Sequence, residues 1–248
     1  MINILLTGAS RGIGAAARTA LTAAGHHVIG QSTAGGGHDD PGLIAADFAL
    51  PGAGDALWDA ALAAADGRID VLVNNAGVFE AADIADADAF AAAWARSHAI
   101  NLQAAADLCR RAVLHFRENG GRRIINGRSD SGGRIINVAS RAGHRGDSPA
   151  HWHYAAAKAG MIAMTKTIAR GYAHDNILAF AIAPGFTMTG MAEEYLSSRG
   201  GDKLLADIPL GRVADAAEVA EAIRWLATDA PASLTGSTLD INGASYVR

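Results

Sequence analysis

An apolar run at Asn3–Thr7 opens directly into a turn carrying Gly8, Gly12 and Gly14, and then into an alanine-rich stretch, Gly14–Ala24. That order is a strand, a tight turn and a helix. Glycines let the backbone turn sharply and let an anion reach the helix N-terminus, where free N–H groups and the helix dipole favour negative charge. The spacing is G-x-x-x-G-x-G and not the G-x-G-x-x-G dinucleotide fingerprint. Taken alone, the turn also reads as a plain strand-to-helix connection.

The same alternation continues along the chain. Strands are expected at Asn3–Thr7, His27–Gly30, Leu43–Ala46, Asp70–Asn74, Arg134–Ala139, Leu178–Ala183 and Thr238–Ile241. Helices are expected at Gly14–Ala24, Gly54–Ala65, Ala87–Glu118, Tyr154–His174 and Ala216–Thr228, all rich in alanine. Strands apolar on both faces and alternating with helices form a parallel sheet covered on both sides. No Pro- or Ser-rich break divides the 248 residues, half of which are hydrophobic. The fold class is therefore α/β, a single doubly wound (Rossmann-type) domain over 1–248 with a seven-stranded parallel sheet. Between the second and third strands the chain reads QSTAGGGHDDPG, and a loop is expected there in place of a crossover helix.

The segment 120–140 nearly repeats itself: Gly-x-Arg-Ile-Ile-Asn stands at Gly121–Asn126 and again at Gly132–Asn137. Only the second copy runs on into Val138-Ala139-Ser140, so Arg134–Ser140 is taken as the fifth sheet strand. The first copy is read as an insertion, about 120–133, at the N-terminal edge of that strand. Ligands of such sheets bind at the opposite edge, so an exposed polar loop without a catalytic role is expected. Alternatively, Arg122, Arg123, Arg128 and Arg134 dock an acidic partner.

Bulk properties exclude other classes. The net charge of −4 carries no nucleic-acid footprint. Every apolar run is interrupted before it could span a bilayer. Met1 is followed at once by a strand-like run, so no signal peptide is expected. The one cysteine, Cys109, fits a reducing, cytoplasmic setting, and its alanine-rich surroundings suggest a packed thiol.

Tyr154 and Lys158 lie four apart on an expected helix and share one face. A free tyrosine, with a pKa near 10, is a poor proton carrier at neutral pH. A neighbouring ammonium would stabilise the phenolate and lower that value, letting the pair give a proton to a carbonyl or take one from an alcohol.

TGASRGIG at the first helix, Asp47-Phe48 after the third strand, NNAG at Asn74–Gly77, Asn101, Ser140 in NVASRAG, YAAAK at Tyr154–Lys158 and PGFTMT at Pro184–Thr189 occur in order along the chain. Together they resemble the short-chain dehydrogenase/reductase family, in particular its 3-oxoacyl-[acyl-carrier-protein] reductase-like members. The resemblance implies a catalytic group of Asn101, Ser140, Tyr154 and Lys158. In it Tyr154 is the acid/base, Ser140 holds the substrate oxygen, and Asn101 binds a water that links Lys158 to solvent. It also implies a cofactor seat of Gly8, Ser10, Arg11, Gly12, Ile13 and Gly14, with Thr33, Asp47 and Phe48 toward the adenosine. Asn74, Ala76, Gly77, Tyr154, Lys158, Pro184, Gly185, Thr187 and Thr189 complete it. A substrate lid at about 187–210 and a homotetramer paired through the long helices follow from the same resemblance.

Family members that prefer NAD carry an acid at the end of the second strand. Here that stretch is Ile29-Gly30-Gln31-Ser32-Thr33, while Arg11 and Thr33 could meet a 2′-phosphate. NADP(H) is expected. NAD(H) is the alternative, should Asp39 or Asp40 fold back to the ribose. His151-Trp152-His153 are expected to border the substrate pocket; a metal site is the alternative for the histidines and packing between subunits for Trp152.

Three positions depart from common family residues: Phe180 for Asn, Asn242-Gly243-Ala244 for Asp-Gly-Gly, and Asp175 where carrier-protein reductases tend to be basic. The expected function is an NADP(H)-dependent oxidoreductase acting on a small-molecule ketone or secondary alcohol. The alternatives are a 3-oxoacyl thioester reductase and a non-catalytic NADP-sensing regulator.

Overall fold

A computed structural model describes residues 1–37, 40, 42–119, 123–125, 128–130, 133–188 and 205–248. Its strands are β1 (Asn3–Leu6), β2 (His27–Ser32), β3 (Leu43–Ala45), β4 (Val71–Asn74), β5 (Arg123–Ile125), β6 (Arg128–Asp130), β7 (Gly133–Val138), β8 (Ile177–Pro184), β9 (Thr187–Met188), β10 (Ala214–Asp215) and β11 (Thr238–Ile241). Its helices are α1 (Gly12–Ala23), α2 (Ala53–Ala64), α3 (Ala87–His98), α4 (Ala104–Asn119), α5 (Ala142–Arg145), α6 (Trp152–Tyr172) and α7 (Ala216–Thr228). Seven strands form one parallel sheet in the order β3-β2-β1-β4-β7-β8-β11. This is the expected doubly wound α/β architecture.

Both faces of the sheet are buried because its strands are apolar on both. Leu5, Leu72 and Ile135 pack with Trp58, Leu108 and Phe116 on one side. Ile4, Val73, Ile136 and Phe180 pack with Leu21, Val219 and Ile223 on the other. The chain crosses over between β1 and β4, whose C-terminal ends flank the glycine turn, and this is the switch point where doubly wound sheets bind ligands.

Two expectations are corrected. The second strand continues through Ser32, two residues beyond Gly30. The long helix expected at Ala87–Glu118 is divided by a π-turn at Ala99–Gln103, between α3 and α4.

The repeat is resolved by packing. The second copy enters the sheet as β7, and β5 and β6 of the first pair antiparallel as a separate hairpin, where a loop was expected. A Cβ at Gly133 would lie 2.2 Å from the Phe116 ring, so the sheet position requires glycine. In the first copy that position is Arg122. Gly133→Ala should therefore destabilise the fold by about 1–3 kcal/mol through overpacking, measured by urea unfolding. Unchanged stability would remove this explanation.

Arg134 is not available to an acidic partner. It is 1% exposed and donates to Leu226 O (2.7 Å) and Ala230 O (2.8 Å) at the end of α7, with Phe180 beneath its guanidinium. Phe180, one of the departures from the family, thus serves as the apolar floor for a buried cation.

Candidate active site

The glycine turn is held by side chains the sequence reading passed over. Thr7 Oγ1 accepts from the backbone N–H groups of Asn75 (2.9 Å) and Ala76 (3.0 Å), and Asn75 Nδ2 donates to Thr7 O (3.0 Å) and Gly8 O (3.1 Å). Gly8 N donates to Gln31 Oε1 (2.8 Å), while Gln31 Nε2 donates to Ala46 O (2.7 Å). Thr7 and Asn75 stand inside the quoted motifs; nothing in the spacing marked Gln31. Gly8 has φ +64, and a Cβ on it would sit 2.8 Å from Ala76 Cα. A Cβ on Gly14 would sit 1.9 Å from Gly8 O, so only glycine lets α1 approach the strand this closely.

The N-terminus of α1 is open. Its N-cap, Arg11, makes no side-chain cap and its first turn holds no acid, whereas α7 carries a complete Asp215–Glu218 capping box. Ser10 and Arg11 are exposed beside that end, with Gly12 and Ile13 half-buried behind them. Uncapped N–H groups, a helix dipole and an adjacent guanidinium form a seat for a phosphate. A dinucleotide fits the cradle that the glycines leave.

Thr33 is exposed just past β2. Asp47 accepts from Ala49 N (2.9 Å), and Phe48 is buried. Asp40 is held by Arg18 of α1, through Arg18 Nη2 to Asp40 Oδ1 at 2.7 Å and a second bond from Nη1. Asp39 lies outside the described residues, as do Thr189 and the lid between 189 and 204. Ala76 is half-buried and Gly77 exposed beyond β4. Asn74 instead turns into the core, donating to Asn137 Oδ1 (2.8 Å) and Cys109 Sγ (3.3 Å). Burial pushes the Cys109 thiol up to about 12, which leaves it inert. Pro184 ends β8; Gly185 passes close to Asn242; Thr187 is buried in β9.

Ser140, Tyr154, Lys158 and Asn101 are brought together. The Ser140 hydroxyl stands close enough to the Tyr154 phenol to favour its ionised form, and Lys158 Nζ lies 5.8 Å from the centre of the Tyr154 ring. A Cβ at Gly77 would stand 2.8 Å from Asn101 Oδ1 and 3.5 Å from Lys158 Nζ, so both groups converge on this glycine. Asn101 sits in the π-turn, an irregularity common at functional sites. Its amide grips the chain after Gly77, accepting from Val78 N (2.9 Å) and donating to Val78 O (3.0 Å).

The electrostatics differ from expectation in one respect. Burial pushes the Tyr154 phenol up from its ordinary value, and only Ser140 pulls it down. Burial also brings the Lys158 ammonium down to about 8, and Nζ donates to Val138 O (2.8 Å). The sign for stability follows. Between about pH 8 and the usual lysine value of about 10.4, the unfolded chain binds a proton that the folded chain does not, so stability rises with pH through that window. Against a Lys158→Met control, urea unfolding should show the wild type gaining relative stability between about pH 8 and pH 10. A flat difference would contradict a depressed Lys158.

Of the His-Trp-His rings, only His151 borders the site. It stacks on Phe79 with ring centres 3.9 Å apart. His153 is buried and bonded to Glu80 O (2.9 Å). Trp152 faces outward against Phe90. Among the described residues no three His, Cys, Asp or Glu side chains gather to hold a metal, and no helix is long and apolar enough to cross a membrane. Asp175 stands at the far end of α6, paired with Arg117 (3.0 Å).

Residues 8–244 match the family described as enoyl-(acyl carrier protein) reductase. The chain is 35% identical to the 3-oxoacyl-[acyl-carrier-protein] reductase of Escherichia coli, covering 98% of this chain and 96% of that protein. It is 36% identical to the enzyme of that name from Vibrio cholerae, with the same coverage. It is 33% identical to a short-chain type dehydrogenase/reductase of Sinorhizobium fredii over 73% of this chain and 67% of that one.

Proposed function

The chain belongs to the short-chain dehydrogenase/reductase family and is an oxidoreductase acting on a carbonyl or alcohol, and we propose that it is an NADP(H)-dependent ketone reductase using Tyr154, Lys158, Ser140 and Asn101. The observation that carries this reading is the gathering of these four side chains, Tyr154 beside Ser140 and Lys158, and Lys158 with Asn101 at Gly77.

When bound in the glycine cradle, the nicotinamide cofactor supplies or accepts the hydride. Gly8, Gly12 and Gly14 admit its pyrophosphate to the open end of α1. Asp47 and Phe48 would hold the adenosine, and Ala76, Gly77, Pro184, Gly185 and Thr187 would hold the nicotinamide. Tyr154, neutral because its pKa is raised, donates its proton to the substrate oxygen, which the Ser140 hydroxyl orients. The Lys158 ammonium and the Ser140 hydroxyl stabilise the phenolate left behind. Asn101 keeps the π-turn and the Gly77–Val78 backbone in place around Lys158, where the proton is restored through water.

NADP(H) is favoured because β2 ends in Gln31-Ser32 without a carboxylate, Gln31 is spent on Gly8 and Ala46, and Asp40 is spent on Arg18, while Arg11 stays exposed. The test is consumption of NADPH and NADH with acetoacetyl thioesters, cyclic ketones and aryl ketones. We expect kcat/KM to favour NADPH at least tenfold, about 1.4 kcal/mol; equal use of NADH would contradict the cofactor assignment.

The relatives' names favour a second reading, reduction of a 3-oxoacyl thioester, which the same panel distinguishes. We also propose a cytoplasmic homotetramer paired through α4 and α6, where Leu114 stands 43% exposed; mass photometry tests the assembly.

A further inference from the structure

The rings beside Tyr154 form a fixed wall. Phe79 lies parallel to His151, with ring centres 3.9 Å apart and planes within 1°. Tyr154 meets Phe79 edge-on at 4.9 Å. The backbone on both sides of Phe79 is clamped: Val78 by the Asn101 amide, and Glu80 by His153 Nε2 at 2.9 Å. His151 is fixed in turn by Ser148 Oγ, 2.7 Å from its Nδ1. Yet Phe79 is 40% exposed. A large apolar ring whose backbone is clamped by buried Asn101 and His153, stacked on half-buried His151 and left open beside the acid/base group, is a surface prepared for a ligand.

The rim narrows the class of ligand. The loop leading from Phe79 to α3 carries Glu80, Asp83 and Asp86, the first turn of α3 adds Asp88, and Ala82 N ties the loop to Ala150 O (3.0 Å), next to His151. Arg96 offsets only Glu80 (3.2 Å). Asp147 adds a further carboxylate near His151, whose imidazole is kept neutral by burial. An acidic carrier or a phosphate-bearing arm meets like charge here. A flexible acyl chain would also lose rotamer freedom against a rigid wall.

We propose that Phe79, backed by His151, is the specificity-determining surface for the substrate, and that it selects an uncharged ketone fused to or bearing a flat ring. This inference rests on the ketone-reductase reading above. Aromatic stacking of this kind is worth about 0.5–1.5 kcal/mol beyond area burial, and loss of the ring also loses its buried area.

The test compares wild type, Phe79→Ala and Phe79→Tyr on 1-tetralone and on the N-acetylcysteamine thioester of acetoacetate, with NADPH saturating. For 1-tetralone, Phe79→Ala should raise KM about tenfold or more with kcat changed less, and Phe79→Tyr should restore it. The thioester kcat/KM should move less than about threefold. Equal losses on both substrates would overturn the proposal and leave Phe79 as a mere support for Tyr154. If neither substrate is reduced by wild type, the reductase reading fails separately. Calorimetric titration of 1-tetralone into the NADPH-saturated proteins then decides the surface. Binding weakened by Phe79→Ala and restored by Phe79→Tyr supports it; binding absent, or indifferent to residue 79, overturns it.

Discussion

Tyr154→Phe should lower kcat on a ketone substrate by about 10²–10⁴-fold, the usual contribution of a positioned general acid, while NADPH affinity stays within about threefold. The substitution removes one oxygen and keeps the ring that Phe79 meets edge-on, so local packing survives. What it removes is the hydroxyl whose ionised form Ser140 favours and beside whose ring Lys158 stands. Cys109 and His153 cannot stand in for it: Cys109 is buried with a raised pKa, and His153 is committed to Glu80 O. Stopped-flow measurement of NADPH oxidation, with fluorescence titration for binding, separates the two parameters. Full turnover in the variant would remove Tyr154 from the chemistry.

Arg134→Met should lower the free energy of unfolding by about 2–5 kcal/mol. The guanidinium supplies donors to two carbonyls at the buried end of α7, and each carbonyl left without a partner costs about 1–3 kcal/mol. Methionine keeps most of the volume over Phe180, so the loss reports the hydrogen bonds more than a cavity. Burial of the charge has its own cost, visible in a pKa brought down to about 10, which holds the net effect to this range. The same substitution at Arg123, in a hairpin outside the seven-stranded sheet, should change stability by less than about 0.5 kcal/mol. Equal effects at the two positions would contradict the different roles assigned to the two copies. Urea unfolding checks both.

The fold was legible because both-face apolar strands and alanine-rich helices leave one arrangement that buries them, and the seven expected strands all entered the sheet. Tyr154, Lys158, Ser140 and the glycine turn were legible through short, local motifs. What escaped the reading depends on long-range contact. Gln31 reaches Gly8 and Ala46 across strands, and no periodicity marks it. The π-turn at Asn101 interrupts a helical pattern that continues unbroken in sequence. Arg134 reads as a surface charge until its carbonyl partners, more than ninety residues away, come into view. His153 was grouped with His151 by adjacency, though successive helical residues face different ways.

The central claim is that hydride passes between the nicotinamide and the carbonyl carbon while Tyr154 handles the proton. It is tested most directly with NADPH deuterated at the transferring position of the nicotinamide ring, followed by mass spectrometry of the alcohol formed. The account predicts one deuterium at the carbinol carbon in the wild-type product, and none at that carbon when only the solvent is deuterated. Product formed without the cofactor's label, or labelled at carbon from the solvent, would contradict it.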